Sequence, residues 1–191
     1  MISTNGIAVE RCVHFDFGNE LRAIAAGEER NPVFSDDEVG FIQGVLEEGL
    51  LLENEKFYLA KKILTDFTKR HDVGRREIII LNGLPRHVGQ AEDMTDMVTV
   101  KSVVELKCSD GDVLCRIRED TGGDRSQRVD DDNALVKKKI ETYNKRTRPL
   151  VDFYTTRGAA LIEVVVTPDS DTCTLYNQFM NIYRSLQLKA Q

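Results

Sequence analysis

The sequence predicts an α/β fold in which helices cross between the strands of a parallel sheet. Four short runs rich in branched and apolar residues alternate with stretches of helical periodicity: 9–15 (VERCVHF), 77–81 (EIIIL), 103–108 (VVELKC) and 161–166 (LIEVVV). Such alternation is the pattern of strands joined by crossover helices. The second run is almost wholly apolar, as expected of a strand covered on both faces. A length of 191 residues, 41% of them hydrophobic, leaves room for one ordinary core with a small inserted lobe.

The elements follow in order. Behind the first strand run, residues 19–26 predict a short helix. Ser35 and Glu38 form a capping box, a hydroxyl and a carboxylate three apart that satisfy free amides at a helix start. Val39, Ile42 and Leu46 then fall on one face. Phe57, Ala60, Leu64 and Phe67 mark a second apolar stripe, and Val136, Ile140 and Tyr143 a third. Leu175, Phe179, Ile182 and Leu186 mark the last. Residues 118–133 (REDTGGDRSQRVDDDN) carry two adjacent glycines and almost no apolar side chain, so they predict a loop or lid. Cys12 and Cys108 read as small apolar groups buried in their strands. His14 reads as a structural strand-end residue, and His71 and His87 as exposed loop residues.

Composition narrows the function. Lys and Arg number 26 against 32 Asp and Glu, a net charge of −6, which disfavours non-specific nucleic-acid binding. No run approaches the ~18 apolar residues of a membrane span, and the opening MISTNGIAVERC lacks the apolar stretch of a secretory signal. Cys12, Cys108, Cys115 and Cys173 show no paired spacing. That argues against a disulfide scaffold or a zinc site and for reduced thiols in a cytoplasm. The expectation is a cytoplasmic protein with no nucleic-acid partner, no membrane partner and no dedicated metal site.

In parallel sheets ligands sit beyond the carboxyl ends of the strands, so the loops there are the place to look. HFDFGNELR carries Arg22 one turn into the first helix, where its guanidinium can reach an anion; a solvated surface arginine is the alternative. In NGLPRHVGQ, Gly83 and Pro85 fix a sharp turn that throws Arg86 over the strand end. An arginine delivered by a rigid turn loses less entropy on gripping a phosphate. Gln90 offers a donor and an acceptor suited to a base edge. Here a plain strand-to-helix turn is the alternative. Arg116, Arg118, Arg125 and Arg128, then Lys137, Lys138 and Lys139 behind Asp130, Asp131 and Asp132, could neutralise a polyphosphate. A solvated face is the alternative for that run.

In order and spacing, HFDFGNELR, NGLPRHVGQAE and RVDDDNALVKKKIETYNKRTRPLVDFY resemble the three signature regions of adenylate kinases and related nucleoside monophosphate kinases. The likeness runs from about Gly6 to the C-terminus, apart from an apparent extra helix near 50–71. It implies a three-layer, P-loop-kinase-like parallel sheet flanked by helices. It also implies a monophosphate-binding lobe over about 17–73, including that helix at 54–70, and a short lid over 118–131. The implied reaction moves a phosphoryl group from a nucleoside triphosphate, ATP with Mg, to an AMP-like monophosphate. By the same resemblance Arg22 and Arg86, with Gly83 in the turn, grip the acceptor phosphate and Gln90 reads its base. Arg116 opens the lid, Arg128 closes on the phosphates, and Asp130 and Asp131 help hold the closed lid. Lys139 stands where a phosphate-binding arginine is expected, and Arg125 substitutes for a lid arginine expected near Asp120. Asn82 stands where the family usually has Asp, and Phe17 replaces a small hydroxyl residue near the acceptor base.

One family feature has no counterpart. The pattern G-x-x-x-x-G-K-[ST], whose amides and lysine cradle donor phosphates, does not occur, and neither does the dipeptide Gly-Lys. Residues 1–6 resemble the tail of the helix behind that loop, with Gly6 as its C-cap. The expectation is therefore a chain without the first, central strand and the P-loop. Its sheet is weakened and open to self-association unless residues 1–8 or a partner fill the slot, and it is a poor kinase. The alternative is a catalytically inactive monophosphate-binding module, or a fragment completed by a partner.

Overall fold

The computed structural model describes residues 3–4, 7–8, 11–28, 34–48, 52, 56–74, 77–121 and 133–189. The chain divides into two compact units, Met1–Asp96 and Met97–Gln191.

The first unit opens with β1 (Ser3–Thr4) paired antiparallel to β2 (Ile7–Ala8). Residues 3–4 are thus extended, not the helix tail expected of 1–6, in keeping with the β-branched Thr4 and Ile7. Gly6 lies outside the described residues. β3 (Cys12–Asp16), α1 (Phe17–Ala25), α2 (Asp36–Glu48), α3 (Phe57–Arg70), β4 (Ile78–Asn82) and α4 (Val88–Asp93) follow. β3 and β4 pair in parallel, from Cys12 opposite Ile78 to Asp16 opposite Asn82.

Side chains alternate across a strand, and the two faces of this pair differ. Phe15 is fully buried and meets Phe67 edge-on, 4.9 Å between ring centroids. α3 presents Phe57, Leu59, Ala60, Ile63, Leu64 and Phe67, all buried. It has no side-chain cap at its start, so this apolar stripe is what holds it helical. Cys12 and His14 fall on the opposite face with Ile78 and Ile80, and all four are exposed. Alternation therefore places the Cys12 thiol outside the core, contrary to the sequence expectation.

Polar contacts fix the helices. Asp16 caps α1, its Oδ1 accepting from the Asn19 N–H at 2.9 Å. The capping box at α2 forms as expected: the Ser35 N–H donates to Glu38 Oε2 at 2.9 Å and the Glu38 N–H to Ser35 Oγ at 3.3 Å. Lys62 of α3 adds a 2.6 Å bond to the same carboxylate. Arg70 ties α3 to α1, bonding Asp66 at 2.8 Å and Glu20 at 2.6 Å.

The second unit holds β5 (Ser102–Lys107), α5 (Asp110–Arg118), α6 (Asn133–Thr142), a π-helical turn Tyr143–Thr147, α7 (Pro149–Thr155), β6 (Ala160–Val165) and α8 (Thr172–Lys189). β5 and β6 pair in parallel, from Ser102 opposite Ala160 to Lys107 opposite Val165. Ser109 caps α5 through a 3.1 Å bond from the Asp112 N–H, and α8 packs on β6. Ile162 and Val164 of β6 are buried, while their register partners Val104 and Leu106 on β5 are exposed. Within each unit, then, the parallel strands come as a pair flanked by helices. No helix among the described residues is long and apolar enough to cross a membrane.

Glu38 links two helices and titrates. Burial pushes its carboxyl pKa up, but the Lys62 hydrogen bond, the Ser35 N–H and the Lys62 charge outweigh this and leave it below the ordinary value. A lowered folded pKa stabilises above the unfolded value, and that contribution is lost as pH falls through the folded one. Glu38→Gln should destabilise by about 1 kcal/mol at pH 7. The gap from wild type should close below about pH 4. Urea unfolding of both proteins at pH 7 and in mild acid measures it.

Candidate functional site

In the first unit the register of β3 on β4 brings their carboxyl ends side by side. Asn82 Nδ2 donates to Asp16 Oδ2 at 2.9 Å, while the other Asp16 oxygen caps α1. One carboxylate thus locks two strand ends and a helix start. Arg22, one turn into α1, donates to Asn19 Oδ1, and its guanidinium folds back over Gly18. A Cβ at Gly18 would lie 3.3 Å from Arg22 Nη1 and 3.3 Å from Asp16 Oδ1, so a side chain there would require both groups to give by a few tenths of an ångström.

The turn after β4 is equally constrained. Gly83 has φ +78 and the Leu84–Pro85 peptide is cis. A side chain at Gly83 would be strained at that φ. Its Cβ would meet Phe17 Cβ at 3.5 Å and Arg86 Nη1 at 3.9 Å. The Arg86 side chain reaches solvent, yet the protein packed around its guanidinium lowers the pKa by desolvation. Arginine stays protonated at neutral pH regardless. Arg22, on α1, and Arg86, in the turn after β4, therefore both follow strands at the same end of one parallel pair. Two planar cations so placed suit the oxygens of a phosphate.

Gln90 is almost fully buried. Its Oε1 accepts from the Arg86 N–H at 2.8 Å and its Nε2 donates to the Leu52 carbonyl at 2.7 Å. His87 is also buried and caps α4, its Nδ1 accepting from the Gln90 N–H at 3.4 Å. It is thus no exposed loop residue: the turn folds it inward to satisfy a helix amide. Phe17 is buried as well, stacked on Phe15 with 6.1 Å between ring centroids.

The second unit carries Arg116 and Lys139. Arg116 Nη1 donates to the carbonyls of Thr167, Pro168 and Ser170 at 2.8, 3.2 and 2.9 Å, which clamps the turn after β6 onto α5. Lys139 is exposed in the last turn of α6. Arg118 pairs with Glu119 at 3.3 Å. Cys108 is half-buried, and burial, followed by the charge of Asp112, raises its thiol pKa. Arg125, Arg128, Asp130 and Asp131 lie outside the described residues, as does most of the expected lid at 118–131. Among the described residues no three His, Cys, Asp or Glu side chains gather to hold a metal ion.

Two contributors escape the sequence reading. The Asp16–Asn82 bond was half visible, because Asp16 and Asn19 stand at the spacing of a helix cap. The Leu52 carbonyl left no signal, since a backbone acceptor is the same for every residue.

Comparison with known proteins bears on the same segments. No family model matches the chain. It is 31% identical over 157 residues to an adenylate kinase of Parvibaculum lavamentivorans, covering 76% of this chain and 68% of that protein. An adenylate kinase of Treponema denticola is 24% identical over 155 residues, 68% of this chain and 71% of the relative. Adenylate kinase isoenzyme 1 of Rattus norvegicus is 27% identical over 177 residues, 91% and 82% respectively.

The Asp16–Asn82 contact yields a test of the strand-end geometry. Asn82→Asp places two carboxylates together and removes the amide donor, so it should destabilise by about 0.2–1 kcal/mol at pH 7. The repulsion exists only while both carboxylates are charged, so the penalty should be small below about pH 4 and grow as pH rises. Thermal melts of wild type and variant at the two pH values report the difference.

Proposed function

We propose, because the chain belongs to the adenylate kinase family, that its first unit binds a nucleoside monophosphate as the acceptor for phosphoryl transfer from a nucleoside triphosphate. The observation that carries this reading is the placement of Arg22 on α1 and Arg86 in the turn after β4, both beyond the carboxyl ends of β3 and β4. Phosphoryl transfer rests on positioning and charge compensation rather than a side-chain base, and two guanidinium groups supply both to an acceptor phosphate. Gly83 lets the turn hold Arg86 close to the strand end. In this reading Arg116, Arg128 and Lys139 balance charge on the transferred group, and Arg125, Asp130 and Asp131 belong to a closing lid over 118–131. The lobe over 17–73 surrounds the acceptor. Magnesium arrives as the Mg–ATP substrate complex, and the protein works in the cytoplasm.

Turnover by this polypeptide alone should be slow. The sequence contains no G-x-x-x-x-G-K-[ST] loop, and removing even one such charge-stabilising donor costs roughly 10²–10³ in rate. Calorimetry with AMP, CMP, UMP and ATP tests the proposal. Monophosphates should bind, and Arg86→Met should weaken them by about 10- to 100-fold, the worth of charged hydrogen bonds. Wild-type protein that binds none of the four nucleotides overturns it.

A second reading, in which a partner completes a binding module, has its own support. Ile78 is 45% exposed, Ile80 53%, Val104 47% and Leu106 60%. Parallel strands are normally covered on both faces, and two-stranded sheets are marginal alone. Sedimentation of the isolated chain should then show concentration-dependent association. A monodisperse monomer that unfolds cooperatively counts against this reading.

A further inference from the structure

We propose that Asp16 is a specificity-determining residue of the acceptor site: its carboxylate opposes the arginine charge there, so that the first unit discriminates little between a phosphate dianion and a monoanion. The inference rests on the acceptor-binding reading and adds to it the charge of the ligand that the site takes.

Asp16 closes β3 and caps α1, and its side chain borders the space that Arg22 occupies. The point at which a Cβ on Gly18 would lie is 3.3 Å from Asp16 Oδ1, 3.3 Å from Arg22 Nη1 and 3.5 Å from Arg22 Nη2. Acid and guanidinium therefore share one small region at the carboxyl end of the strand pair. Arg22 spends a donor on Asn19 Oδ1, and a guanidinium has five. Both bonds that Asp16 receives come from uncharged groups, the Asn19 N–H at 2.9 Å and Asn82 Nδ2 at 2.9 Å. No ion pair among the described residues cancels its charge. Glu20, the acid in the first turn of α1, is by contrast paired with Arg70 at 2.6 Å.

The scaffold does not need that charge. Asparagine caps a helix start as well as aspartate does. With an amide at position 16, Asn82 can turn its own amide so that its oxygen accepts where its nitrogen now donates. Helix cap and strand lock would both survive, and only the negative charge would be lost. That charge is what a phosphate held by Arg22 meets. At ~6 Å one unit charge changes the affinity for another by about 3- to 100-fold between the dielectric of water and that of a protein surface. The interaction scales with the charge of the ligand, so in free energy it weighs twice as heavily on a dianion as on a monoanion. Arginines alone favour the more highly charged ligand, and a carboxylate beside them takes part of that preference away.

Calorimetry on the full chain at about pH 7.5 compares AMP, mostly a dianion there, with the methyl ester of its phosphate, a monoanion. Asp16→Asn should bind AMP about tenfold more tightly than wild type, and the ester about threefold more tightly. Asp16→Ser is a second uncharged cap that lacks the reach to Asn82, and it should move the ratio of the two affinities the same way. A purely structural role for Asp16 would leave that ratio where it is in wild type. Unchanged or weaker AMP binding by both variants overturns the proposal. So does an equal gain for AMP and its ester, which marks a rearranged site and not a removed charge. AMP binding by the variants where wild type shows none supports it. If none of the three proteins binds AMP, the acceptor-binding reading falls and the proposal with it. If all three bind AMP alike, the acceptor-binding reading stands and the proposal alone is refuted.

Discussion

The register of β3 against β4 is the constraint on which the candidate site depends. A slip of one residue would turn Phe15 away from Phe67 and bring Cys12 and His14 into the apolar layer. Burial of that aromatic face therefore selects the pairing. Once selected, the pairing sets Asp16 opposite Asn82 and aligns the turns that follow. The Asp16 carboxylate records this alignment by receiving Asn82 from the neighbouring strand and Asn19 from its own helix.

Polar side chains at the strand ends divide into those that serve the scaffold and those left to meet solvent. Gln90 and His87 are enclosed and bonded to backbone or helix start. Arg116 has one nitrogen gathered by three carbonyls. Arg86 is exposed between buried Leu84 and His87, and its backbone N–H donates to Gln90 Oε1. Fixing the main chain of this turn meets its ordering cost on folding rather than on binding.

The parallel pairs themselves sit at an unusual point of the energy balance. In the first, Ile78 and Ile80 are open on the face opposite buried Phe15; in the second, Val104 and Leu106 are open beside their buried register partners Ile162 and Val164. Strands this apolar gain most when enclosed. The unit that carries the arginines thus combines a firm carboxyl end with an uncovered sheet face.

Much of this was legible in the sequence, because its causes are local. Periodicity located the four parallel strands and the helices between them, and the Ser35–Glu38 box needs only residues three apart. Gly83 and Pro85 announced a tight turn that delivers Arg86. What only the tertiary structure decided was which polar groups are spent. Gln90 finds its acceptor 38 residues away and Arg116 finds its carbonyls 51 to 54 residues away. Those partners are backbone atoms common to every residue, so no pattern of side chains foretells them. The inward turn of His87 and the outward face of Cys12 were hidden for a related reason: burial belongs to what packs above a residue, and local spacing does not encode it.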